Sequence, residues 1–282
     1  MANIAKVKNV GKKFIEAFNT HDLMTMAAAL AFYTALALAP LLLITLSVVG
    51  LLGEGAKNSL INQIQGLMGP QAATAITSIV EAANRQPHTG GVAGMFGVIF
   101  LLFSAGGVFA QLQDSLNVIW DAQGEAPTGL WSWIRKRLLS MGMVLTLGFL
   151  ALVSLVVSTV LSSMFTDESQ VWAVINVVIS GAIFAGMFSL IYKYLPDAKL
   201  SWKDASIGGI ITAVLFIIGK TLIGLYIGKS AVGSAYGAAG SLIVFLSWVY
   251  YSSIIVFAGA EFTRIISGRE IESQASAKLK AK

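Results

Sequence analysis

The chain has 282 residues, 56% of them hydrophobic and only 12% charged, with a formal net charge of +5. A soluble domain carries about a quarter charged residues, so this balance excludes an ordinary water-soluble domain and predicts an all-α integral membrane protein. The absence of cysteine removes disulfides, thiolate metal sites and a cysteine nucleophile together.

Residues 1–23 set Lys6, Lys8, Lys12 and Lys13 beside Val7, Val10, Phe14 and Phe18 at helical spacing. That pattern predicts a short interfacial helix on an anionic membrane surface. No short apolar core precedes a small-residue cleavage site, so no cleavable signal peptide is expected. A six-span bundle is predicted over residues 24–264. Each span is long enough, at roughly 20 residues, to cross the hydrocarbon layer as a helix. The first, 24–52, carries Pro40 in its middle, where one backbone hydrogen bond is lost and a kink or break is expected.

Residues 53–91 read as an extracytoplasmic insert of two short amphipathic helices, with Gly69-Pro70 between them. The second span, 92–110, opens and closes on glycines that permit close helix approach. It is expected to continue into a polar stripe of Gln111, Asp114, Asn117 and Asp121, with Trp120 and Trp131 as headgroup anchors. The third and fourth spans are 138–161 and 171–192, and Pro196 ends the latter. The fifth and sixth, 206–228 and 239–262, flank a glycine-rich turn containing Tyr236 and are followed by a polar cytoplasmic tail, 265–282.

With six spans, fifteen of the nineteen Lys and Arg fall on the side of both termini and three on the other, with Lys220 inside the fifth span. The positive-inside bias then sets both termini in the cytoplasm. It also accounts for the basic balance without a nucleic-acid partner.

Four stretches carry a resemblance: ALAFYTALALAPLLL in the first span, GGVFAQLQDSLNVIWD after the second, YKYLPDAKLSWKDASIGGIITAVLF into the fifth, and YGAAGSLIVFLSWVYYSSIIVFAGAEFTR at the end. From about His21 to Arg264 the chain resembles the YihY/BrkB family. The resemblance implies a six-span protein of the bacterial inner membrane. It carries an old ribonuclease BN label, widely regarded as mistaken, and its family proposals point towards export or lipid handling.

The residues themselves do not support ribonuclease chemistry. The two histidines, His21 and His88, are predicted on opposite sides of the membrane, and the carboxylates are dispersed. No phosphate-cradling loop occurs. No cofactor or metal is expected, and no enzyme activity. Lys220 is the charge that stands out: it either snorkels to the outer interface or faces a cavity for an anionic group. Tyr33, Pro40 and Tyr236 complete a hypothetical substrate path, with Pro40 as the candidate helix break. Glu261 and Arg264 are spaced for an i,i+3 ion pair, with ion coupling by Glu261 as the sharper alternative, and Asp114 is a further candidate charge. The function expected is transport of an amphipathic or anionic substrate, a lipid or phosphate-bearing metabolite. The alternative is a non-transporting scaffold for envelope assembly. Membrane lipids are the expected partners, and the small-residue faces are compatible with a homo-oligomer.

Overall fold

The computed structural model describes residues 2–52, 107–122, 170–198, 200–229 and 240–268, with isolated helical positions at Gln65, Thr74 and Thr77. The expected span 138–161, nearly all of 92–110, most of the 53–91 insert, His88, Trp131, Tyr236 and the tail beyond Gly268 lie outside the described residues. The helices are α1 (Ala2–Thr20), α2 (Leu23–Leu52), α3 (107–119), α4 (Gln170–Tyr194), α5 (Trp202–Lys229) and α6 (Gly240–Ile266). No strand occurs among the described residues.

The helices end where the local chemistry demands it. α4 stops at Tyr194, two residues before Pro196, which has no N–H to continue the ladder. α3 closes in a Schellman motif: Ala122 N–H donates to the Asn117 carbonyl at 2.9 Å and Asp121 N–H to the Val118 carbonyl at 3.2 Å. Asp121 takes the left-handed position, φ 52°, which glycine normally occupies. Asp22, in the turn joining α1 to α2, is also left-handed, φ 49°. α2 remains helical through Pro40, so the chain is not broken there. Proline removes a single hydrogen bond, and the long apolar helix carries that loss.

Packing divides the chain into two compact units. The first comprises Met1–Thr25, Leu112–Phe216 and Ile255–Lys282. Here α5 and α6 touch through reciprocal glycine–threonine contacts: a Cβ on Gly208 would come 2.5 Å from Thr263 Oγ1, and one on Gly259 would run into Thr212 Oγ1. Both threonine hydroxyls also bond within their own helices, to the carbonyls of Gly259 and Gly208. Fully buried Tyr192 of α4 pins the pair. Its hydroxyl donates to the Val256 carbonyl at 2.7 Å and lies 2.8 Å from Thr212 Oγ1. Phe184 and Phe188 of α4 pack on Phe216 of α5. α1 rests on α6 through Phe14, edge-on to Phe262, with Ala17 buried.

The second unit comprises Met26–Gln111 and Ile217–Ile254. Within it Ile223 and Ile227 pack with Val244, flanked by Trp248 and Tyr251. The ring of Tyr33 lies so close to Gly107 that a Cβ there would sit 3.0 Å from it.

One face of α5 presents Ile210, Val214, Ile218, Leu222 and Leu225 outward, three or four residues apart. A helix facing water would be polar at those positions. α5 and α6 are also long and apolar enough to cross a membrane, whereas Leu23–Ala37 and Val178–Tyr194 are shorter apolar stretches.

Candidate functional site

Among the described residues, the densest polar chemistry lies in the first unit, where three chain segments deliver charged side chains to one place. α6 supplies Glu261 and Arg264, one turn apart. The turn after α1 supplies His21, and the cap of α3 supplies Asp121. Glu261 is completely buried, and the Arg264 side chain is 8% exposed. Glu261 Oε1 accepts from Arg264 Nε at 2.9 Å, and Nη2 lies 2.8 Å from the same oxygen. Arg264 Nη1 donates to Asp121 Oδ2 at 2.9 Å. On the far side, His21 Nδ1 lies 2.7 Å from Glu261 Oε2. A carboxylate only accepts, so Nδ1 carries the proton in that contact. Burying charge is tolerated because each is met by charge-assisted bonds.

α3 runs its polar row from this network to a second one. Asn117, one turn before Asp121, donates from Nδ2 to Asp197 Oδ2 at 2.8 Å and accepts the Asp197 backbone N–H at 2.8 Å. Gln113, one turn earlier, donates to Asp197 Oδ1 at 3.3 Å. The linker after α4 is thereby clamped to α3. Lys193 closes its other side by donating to the Leu200 carbonyl.

The placement corrects two expectations. The polar row of α3 that meets partners is buried Gln113 and Asn117 with exposed Asp121 at its end, spaced by four, and Asp114 is exposed. Trp120 is no headgroup anchor; it is 6% exposed inside the first unit. A residue next to the Asp121 cap must follow the helix phase, whatever its side-chain type. Glu261 and Arg264 are brought together. Lys220 and Tyr33 lie in the second unit, Pro40 lies within α2, and Tyr236 is outside the described residues. Sequence reasoning missed His21 and Asp197 as network members. The i,i+4,i+8 spacing of 113, 117 and 121 was the signal for the row itself. Among the described residues, no three His, Cys, Asp or Glu side chains are arranged to hold a metal ion.

Comparison with known proteins adds the family. Residues 14–282 match the family described as Virulence factor BrkB. The chain belongs to that family. Among BrkB relatives, a UPF0761 membrane protein of Paraburkholderia xenovorans (strain LB400) is 33% identical over 172 residues, 58% of this chain and 38% of that protein. A UPF0761 membrane protein of Rhodospirillum centenum (strain ATCC 51521 / SW) is 31% identical over 84% of this chain and 53% of its own length. YfkH of Bacillus subtilis (strain 168), whose name describes it as ribonuclease-like, is 28% identical over 92% of this chain and 95% of its own. The match thus spans about half or less of those two UPF0761 proteins and nearly all of YfkH. No solved structure matches. The relatives' names and the apolar helices agree: this is a membrane protein of the BrkB family.

Proposed function

We propose that this protein spans the bacterial inner membrane six times, with both termini in the cytoplasm, and moves an amphipathic or anionic substrate, a lipid or phosphate-bearing metabolite. Lys220 carries the reading. It sits in α5, where the only other charges are Lys203, Asp204 and Lys229 near the ends. Its helical phase is that of buried Gly219, Ile223 and Ile227, opposite the outward face of Ile218, Leu222 and Leu225. A lysine at a helix centre costs about 2.5–3.5 kcal/mol on insertion scales, so a cation within the span and turned from the lipid face is suited to a path that an anionic group follows. The orientation rests on the distribution of Lys and Arg given above.

The same reading takes the protein to be no enzyme and does not carry over the RNA cleavage suggested by the name of YfkH. The buried carboxylate Glu261 is bonded to Arg264 and His21, an arrangement suited to holding helices together.

The test is flux of fluorescent phospholipids and of phosphate esters in liposomes containing purified protein, alongside Lys220→Met and empty liposomes. Flux that is lost in Lys220→Met is the expected result. Flux unchanged by the mutation removes Lys220 from the path. Absence of flux with wild-type protein refutes transport and leaves the envelope-scaffold reading. RNA cleavage that follows the pure protein through every column would overturn the non-enzymatic reading.

A further inference from the structure

We propose that His21, Glu261, Arg264 and Asp121 form a one-proton switch that sets how firmly the α1–α2 turn is held to α6. The inference stands independently of transport. Two carboxylates face one guanidinium, so with a neutral imidazole the network carries one excess negative charge. Protonated His21 balances it. Nδ1 already bears the hydrogen that meets Glu261 Oε2, so the incoming proton adds at Nε2. The contact to Glu261 survives the change but becomes charge-assisted, roughly twice as strong as its neutral form. Imidazole is the side chain whose charge ordinarily changes between about pH 5 and 8. The His21 side chain is 13% exposed, which gives the proton a route, whereas Glu261 has none.

The charges on the neighbouring segments are Lys12, half-buried Lys13 and Glu16 on α1, Asp22 beside His21, Asp114 on α3, and Lys193 and Asp197 around the linker after α4. On α1, exposed Lys12 and Glu16 pair with each other at 3.6 Å. Asp22, beside His21, and Asp114 on α3 are exposed. Asp197 is held by Asn117, and Lys193 by the Leu200 carbonyl.

Acid therefore tightens the turn and alkali loosens it. The chain has no native cysteine, so a nitroxide at Asn19→Cys, on the exposed end of α1, reports the turn alone. The label in the otherwise wild-type chain, in detergent, is expected to be immobile at pH 5 and more mobile at pH 8.5. His21→Asn, which keeps a neutral donor, is expected to abolish the pH dependence. A label insensitive to pH in the wild-type background overturns the proposal. So does a transition that survives His21→Asn.

Discussion

Arg264→Leu is the perturbation that most directly tests the network. It strips Glu261 Oε1 of two donors, at 2.9 and 2.8 Å, and leaves a fully buried carboxylate with His21 alone. Hydrogen bonds to charged groups contribute about 1.5–3 kcal/mol each, and removing one partner of a buried ion pair costs about 3–5 kcal/mol. Asp121, at 40% side-chain exposure, turns to water and adds little. The reverse change, Glu261→Leu, leaves Arg264 its bond to Asp121 and an outlet to solvent, so about 2 kcal/mol is expected. The double variant leaves no unpaired buried charge. It should therefore cost less than the sum of the singles, with a coupling energy of about 2 kcal/mol. Unfolding from detergent micelles with added SDS, followed by the fluorescence of the six tryptophans, measures all three. A cost below about 1 kcal/mol for Arg264→Leu, or additivity within about 0.5 kcal/mol, would refute the reasoning.

Two further outcomes follow from contacts described above. Gly259→Ala drives a methyl group into Thr212 Oγ1 and to 3.0 Å from the Tyr192 hydroxyl; a loss of about 1–3 kcal/mol is expected in the same assay, partly recovered by adding Thr212→Ala. Asn117→Ala removes both bonds to Asp197 and should cost about 2 kcal/mol, seen as faster trypsin cleavage at Lys199; an unchanged rate counts against the clamp.

The helices were legible because long apolar runs and the Pro196 stop are local signals. The Glu261–Arg264 pair was legible for the same reason, since i,i+3 neighbours meet on any helix. His21 was not, because it reaches Glu261 across 240 residues of chain. The Asn117–Asp197 clamp was hidden by a separation of 80 residues. Asp114 was singled out for its charge and is exposed on α3, whereas Gln113 and Asn117 are the side chains of that helix that meet Asp197. At Pro40 a helix-breaking residue is only a local preference, and one missing bond does not end a thirty-residue helix.

The glycine–threonine contacts between α5 and α6 also bear on how such a chain can change through evolution. Gly208 makes room for Thr263, and Gly259 makes room for Thr212. Each pair behaves as one locus with a fixed volume, so bulk gained on one helix must be surrendered on the other. Across related sequences the two positions of each pair should exchange size together, a small residue always opposite a larger one. Pairs that grow on both sides would mark lineages in which these helices have moved apart.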